Sequence, residues 1–234
     1  MPDMLSTRIK ICGLQSVEAL NYLMRLPVSY VGLVFAASKR RIRIDQAAEL
    51  TAYLRRTPFP DPPKSVGVFV NPIREELTDA VHKAGFDFVQ LHGDESPEFC
   101  CWVKENLNVG IFKAFCITPD IKKDHTESNS VVDNKWGPYS EAGVDAFLLD
   151  TLDPDQQGGT GKTFCWGKLP VYLEWSRRHH VPLFVAGGLN DNNVSELISD
   201  YHPYGVDVSS GVETDGWKDP DKIKRFVERV AACG

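Results

Sequence analysis

The chain has 234 residues, 42% of them hydrophobic and 25% charged, with a formal net charge of −6. This is the balance of a globular protein able to bury a core, and it excludes disordered, collagen-like and membrane-spanning classes. An acidic chain is a poor polyanion binder, so nucleic acid and anionic membrane surfaces are not expected partners, and a phosphate ligand would have to be held by local geometry.

Short β-rich apolar runs recur along the chain, each followed by a turn cluster and then by a segment of helical period. The pattern predicts strands over 7–12, 30–35, 65–70, 86–91, 110–116, 144–150, 183–186 and 206–208. Helices are predicted over 16–25, 45–55, 73–84, 97–106, 169–178, 192–201 and 219–232. Ser16 followed by Glu18, Asp45 followed by Glu49, and Ser96 with Pro97 behind it read as helix N-caps. The polar stretch 118–139 has little periodicity and is expected to hold the connection after the fifth strand, with an irregular or shortened helix.

Strands that alternate with helices pair in parallel through right-handed crossovers. Eight units of about 29 residues fit a single (β/α)8 TIM barrel spanning residues 1–234, with a doubly wound open sheet as the alternative on pattern alone. The first twenty residues lack the leader and apolar run of a signal peptide, and no apolar stretch reaches membrane-spanning length. The six cysteines, Cys12, Cys100, Cys101, Cys116, Cys165 and Cys233, read as reduced thiols of a cytoplasmic protein. No C-x-x-C or H-x-x-x-H spacing offers a zinc site, and no metal is expected.

A barrel active site lies at the carboxyl ends of the strands. The residues there are Cys12, the 38–43 segment, Asn71, His92, Asp150, the 158–161 loop, Gly187-Gly188 and Ser209-Ser210-Gly211. A single glycine pair reads as a turn, but three glycine-containing loops after the last three strands, at 158–161, 187–188 and 209–211, read together as a phosphate site. Gly161-Lys162-Thr163 mimics the end of a nucleotide-binding P-loop, yet Gln156 stands where that motif needs glycine.

Alternation along the first strand turns Lys10 and Cys12 into the barrel and Ile9 and Ile11 onto the helices. Cys12 is either an inert buried thiol or, with Lys10 as its cationic neighbour, a thiolate. Asp150 either caps a loop or transfers a proton. A cysteine and an aspartate reaching one substrate from two sides suit an isomerisation. Among the cations Lys39, Arg40, Arg41 and Arg43, Arg40 is expected to turn inward and grip a carboxylate with its fork. His92 is a substrate-binding candidate by its place on the rim, whereas His82, His125, His179, His180 and His202 read as structural or exposed.

Over nearly its whole length the chain resembles the phosphoribosylanthranilate isomerase family. The resemblance rests on KICGL at 10–14, GLVF and SKR within 32–40, VGVFVN at 66–71, QLHGDE at 90–95, LLDT at 148–151, GGTGKTF at 158–164, VAGGLN at 185–190 and VDVSSGVE at 206–213. It implies a cofactor-free Amadori rearrangement of N-(5'-phosphoribosyl)anthranilate in tryptophan biosynthesis. It also implies Cys12 as general base, Asp150 as general acid, Arg40 on the anthranilate carboxylate, Asp207 near the anthranilate portion, and Gly161, Gly188, Ser209 and Ser210 as the phosphate cradle. The implied partner is a small phosphorylated substrate, with the protein a monomer or homodimer. Two positions depart from the family pattern: Lys39 stands where proline is usual, and Cys165 where an acidic residue often follows the phenylalanine. Indole-3-glycerol-phosphate synthase, for which Lys10 or Lys113 would have to serve as catalytic lysine, a non-catalytic phosphometabolite-binding protein and a redox role for the cysteines are the rival readings.

Overall fold

A computed structural model describes residues 7–117, 129–151 and 166–233. Eight strands run parallel and close on themselves in sequence order. They are β1 (Arg8–Cys12), β2 (Tyr30–Val34), β3 (Lys64–Phe69), β4 (Phe88–Leu91), β5 (Gly110–Ile117), β6 (Ala146–Thr151), β7 (Leu183–Val185) and β8 (Gly205–Val208). Each is followed by a helix: α1 (Val17–Leu23), α2 (Ile44–Arg56), α3 (Arg74–Ala84), α4 (Pro97–Asn106), α5 (Asn129–Glu141), α6 (Leu169–His179), α7 (Val194–Tyr201) and α8 (Pro220–Ala231). The expected barrel is therefore the observed one, and the open sheet is excluded because β1 pairs with both β2 and β8.

Residue alternation divides the apolar side chains into two groups. Ile9, Ile11, Leu33, Val89, Ile111, Phe147, Leu149, Leu183 and Val206 face the helices in the large outer core. Val66, Phe112, Ala114, Ala146, Leu148, Phe184 and Ala186 fill the lumen. At its amino-terminal end the lumen is plugged by Tyr30, Phe88, Phe112 and Phe184, packed edge to face with ring centroids 5.1–5.6 Å apart. This floor leaves the carboxyl end as the open one.

Two expected helix starts hold: Ser16 accepts from the Ala19 N–H, and Ser96 accepts from the Phe99 N–H with Pro97 in the first turn. Asp45 does not cap α2. The helix begins at Ile44 with Arg43 in the cap position, and Asp45 lies in the first turn, where its charge meets the positive end of the helix dipole. The weak stretch holds a full 13-residue helix, α5, which packs through only two fully buried side chains, Val132 and Trp136, and contains Pro138. That thin apolar face explains its faint periodicity; residues 118–128 lie outside the described part. His180 and His202 end α6 and α7 in left-handed conformation, which is a structural role, and His125 is outside the described residues.

Lys113 lies on the outer face of β5 between Ile111 and Phe115, away from the lumen, which removes it as a catalytic lysine. It pairs with Glu95 at 2.9 Å, both side chains being 2% exposed, and donates to the carbonyls of Leu91 and Gly93. Glu95 in turn accepts from the N–H groups of Asn71 and Gly93. One buried ion pair thus ties the ends of β3, β4 and β5 together, and it gives rim residue Asn71 a structural task. Removing one member of such a pair strands the other charge. Lys113→Met is expected to cost about 3–5 kcal/mol in urea denaturation, and combining it with Glu95→Leu should recover most of that loss; equal stability of the single variant and wild type would refute the staple.

Candidate active site

Cys12 ends β1 and faces the lumen beside Val34 and Val68. Lys10, one turn of the pleat below it, is fully buried and pairs with Asp207 at 2.9 Å. The two residues are direct register partners across β1 and β8. Lys10 does pull the Cys12 thiol down, but burial pushes it up more strongly, and Asp207 adds to the upward push. Of the two readings of Cys12, the protonated thiol is therefore favoured at rest: the cation that could ionise it is already shared with a carboxylate. Lys10 itself stays protonated, since Asp207 and Cys12 outweigh the burial that works against its charge.

Arg40 turns inward as expected, and the carboxylate it grips is Glu213, with Nε on Oε1 at 2.7 Å and Nη2 on Oε2 at 2.8 Å. The pairing occupies the Nε–Nη2 edge of the guanidinium and does not involve Nη1. To reach Glu213 the Arg40 chain passes over Gly13, whose φ of +84° and close contact with the Arg40 methylenes leave no room for a Cβ. Glycine after Cys12 is thus required for Arg40 to lie across the site.

Glu213 opens a two-stranded hairpin, β9 (Glu213–Thr214) and β10 (Trp217–Lys218), closed by Asp215-Gly216 with φ of 52° and 84°. Both central residues have positive φ, the requirement of the tight hairpin turn that Asp-Gly favours. Lys218 lies opposite Glu213 and donates to its Oε1 at 2.7 Å and to the Ser209 carbonyl at 2.9 Å. Burial works against the Glu213 charge, but Arg40 and Lys218 hold its carboxyl below the ordinary range.

Asp150 lies on the luminal face of β6, level with Cys116 of β5. Its Oδ2 is 3.4 Å from Nε2 of His92. The other ring nitrogen, Nδ1, is 2.7 Å from the Gln90 amide. Burial opposes a charged His92 ring, but hydrogen bonds to Asp150 and Cys116 overcome it and raise His92 to about 9. The acid candidate thus favours a charged His92, and a charged ring would donate through Nδ1 to the Gln90 amide oxygen, an atom with no other partner among the described residues.

On the phosphate side Gly187 and Gly188 both have positive φ, 85° and 67°. The Gly188 carbonyl accepts from the side-chain amides of Asn190 and Asn193, which fixes the direction of that loop before α7. A Cβ on Gly211 would overlap the Leu189 carbonyl, so the loops after β7 and β8 lie in direct contact. Ser210 begins a 3-10 turn, Ser210–Val212. The Ser209 hydroxyl donates to the Cys12 carbonyl at 3.1 Å. Gly161, the third element of the expected cradle, and Cys165 lie outside the described residues.

The rim therefore brings together Cys12, Arg40, His92, Asp150, Asp207, Gly188, Ser209 and Ser210. Sequence reasoning passed over Glu213, Lys218, Cys116 and Gln90. Glu213 stood inside a quoted motif, and the Asp215-Gly216 pair was a hairpin signal that would have set Lys218 against it. Among the described residues no cluster of three or more His, Cys, Asp or Glu side chains offers a metal site, and no helix is long and apolar enough to cross a membrane.

A family model of N-(5'phosphoribosyl)anthranilate (PRA) isomerase matches residues 9–229. The N-(5'-phosphoribosyl)anthranilate isomerase of Brevibacillus brevis is 42% identical over 226 residues, covering 97% of this chain and 94% of its own. Among solved structures, mutually generated monomers of dimeric phosphoribosylanthranilate isomerase from Thermotoga maritima superpose with a TM-score of 0.76 at 32% identity, covering 97% of this chain and 99% of theirs. A phosphoribosylanthranilate isomerase in complex with reduced 1-(o-carboxyphenylamino)-1-deoxyribulose 5-phosphate gives a TM-score of 0.74 at 31% identity, with the same coverage of both chains. With its barrel, its rim and nearly its full length accounted for, the chain belongs to the N-(5'-phosphoribosyl)anthranilate isomerase family, enzymes of tryptophan biosynthesis.

Proposed function

We propose that Cys12 is the general base and Asp150 the general acid of the Amadori rearrangement that turns N-(5'-phosphoribosyl)anthranilate into 1-(2-carboxyphenylamino)-1-deoxyribulose 5-phosphate. What supports the assignment is that the two side chains end β1 and β6 inside one lumen, beneath a rim that carries an arginine fork and two glycine loops. Asp150, in its protonated form, gives a proton to the ribose ring oxygen. The C1'–O bond breaks as the anthranilate nitrogen forms a Schiff base to C1'. Cys12, as the thiolate formed when its own proton passes to solvent, then removes the C2' proton, and the electron pair of that bond neutralises the nitrogen, leaving an enolamine. The enol tautomerises, C1' gaining a proton as the 2'-hydroxyl gives one up. The cationic nitrogen makes the C2' proton acidic, and the chemistry calls for no metal or organic cofactor.

Each remaining residue has a task in this reading. Arg40 meets the anthranilate carboxylate through the guanidinium edge that Glu213 does not use. Asp207 lies near the anthranilate portion, and His92 contacts the substrate on the acid side while holding a proton beside Asp150. Gly188, Ser209 and Ser210 present backbone amides to the phosphate; because the Ser209 hydroxyl is bonded to Cys12, its amide is the group available. Gly161 completes the cradle from outside the described residues. All these groups come from one chain, so monomer and homodimer serve the reaction equally. A phosphorylated metabolite as the only ligand, unpaired cysteines among the described residues and a biosynthetic family support a cytoplasmic setting.

Turnover is followed by the loss of anthranilate-type fluorescence when protein meets freshly formed phosphoribosylanthranilate. Cys12→Ser is expected to lower kcat by about 100-fold or more with little change in KM, because a hydroxyl is a far weaker base; wild-type turnover would remove Cys12 from the role. Arg40→Ala should raise KM by about tenfold, the order of one charge-assisted bidentate contact, and an unchanged KM would take Arg40 off the substrate. In an NMR titration His92 should change charge near pH 9. Asp150→Asn should bring that midpoint down, since the carboxylate holds the ring protonated, and a midpoint unmoved by the substitution would refute the pairing.

A further inference from the structure

Lys218 is a buried cation that the rearrangement, as derived above, does not use. Its side chain is 4% exposed although it sits on a two-residue strand at the rim. Among the described residues, every polar contact it makes leads to a residue of the site. It donates to Glu213, the residue that grips Arg40, and to the carbonyl of Ser209, with the Ser209 hydroxyl a further 3.5 Å contact. Ser209 in turn donates to the Cys12 carbonyl. A neighbouring lysine, Lys222, donates to the Glu213 carbonyl at 2.6 Å and fixes the start of the hairpin from α8. A long flexible ammonium held this tightly in a desolvated place is costly unless its charge is needed there.

We propose that Lys218 is a positioning residue for both halves of substrate activation: it locks the Glu213 carboxylate against the Arg40 fork, and through Ser209 it stands behind Cys12 and adds positive charge on that side of the thiol. The proposal rests on the reading of Cys12 as base and Arg40 as carboxylate holder. Cys12 is faced by Lys10 from its own strand, Asp207 from β8, Arg40 from the loop after β2 and Lys218 from β10, with Glu213 behind the last two. Lys10 is neutralised by its direct pairing with Asp207. Glu213 is shared between Arg40 and Lys218, so this second group holds two basic side chains against one carboxylate. Paired as it is, Lys10 still exerts the larger pull on the thiol, and Lys218 adds to it from the hairpin side, where two basic side chains share one carboxylate, against the upward push of burial.

The test is the pH dependence of Cys12 alkylation by iodoacetamide, read on the Cys12 peptide by mass spectrometry, together with KM and kcat for phosphoribosylanthranilate. Lys218→Met should move the alkylation midpoint upward, slowing the reaction about tenfold near neutral pH, and should raise KM as the Arg40 fork loosens. Lys218→Arg keeps the charge and should restore most of the alkylation rate. Glu213→Gln should move the midpoint the other way, since it removes a negative charge near the thiol, while still raising KM. Opposite shifts in the two variants cannot come from a general loosening of the rim. An alkylation profile unchanged by Lys218→Met, or shifts of the same sign in Lys218→Met and Glu213→Gln, would overturn the proposal. Full turnover by Cys12→Ser would instead sink the underlying assignment, a result the alkylation data do not depend on.

Discussion

A charge cannot stand alone inside a closed eight-stranded barrel, and the polar upper half of this lumen is arranged around that constraint. Lys10 is fully buried, so its ammonium requires a carboxylate at contact distance, which Asp207 provides from the adjoining strand. The register that makes Lys10 and Asp207 partners also closes the barrel between β1 and β8. The same pair sets the state of Cys12, two residues further along β1. A lysine spent on an aspartate has less charge left to offer a thiol, and burial then keeps the sulfur protonated in the resting site.

The rim above this pair is held by charges rather than by apolar packing. Arg40, Glu213 and Lys218 join the loop after β2 to the hairpin after β8, and Glu95 with Lys113 joins the ends of β3, β4 and β5 on the outer face. Buried ion pairs of this sort are poor sources of net stability, but their geometry is directional, and they fix side chains to within the tolerance that proton transfer demands. Gly13 and Gly211 serve the same end by permitting contacts that any side chain would block, Arg40 over β1 in one case and the β8 loop against the β7 loop in the other.

Much of this was legible in the sequence because it depends on local order. Alternation along each strand sorted Lys10 and Cys12 from Ile9 and Ile11, and the repeat of strand and helix gave the barrel. What escaped notice depends on contacts between distant segments. Arg40 and Glu213 are 173 residues apart, and Lys10 and Asp207 are 197 apart. A pattern that shows a cation turning inward does not show which anion it meets. The full extent of α5, where the sequence promised only an irregular or shortened helix, escaped for a different reason: with Val132 and Trp136 as its buried anchors and Gly137-Pro138 in its last turns, it carries almost no periodic signal and is held in place by packing. The Asp45 cap failed because helix starts are decided by the preceding backbone, and Arg43 was already in the extended conformation that ends the loop.

In the proposed reaction the two sides of the site differ in a way that orders the steps. On the proposed acid side the Asp150 carboxylate, 3.4 Å from the His92 ring, helps to raise that ring to about 9, so Asp150 must take up a proton before it can give one to the substrate. On the base side the thiol is held above its ordinary range by burial, and an anthranilate carboxylate arriving at Arg40 would add negative charge to the same region, which disfavours the thiolate further. Proton removal at C2' therefore needs a new positive charge close by. Ring opening creates one, the Schiff-base nitrogen, and it does so only after Asp150 has delivered its proton. Acid catalysis thus precedes base catalysis on electrostatic grounds, and the burial that keeps Cys12 protonated at rest protects the thiol from reaction before substrate has opened.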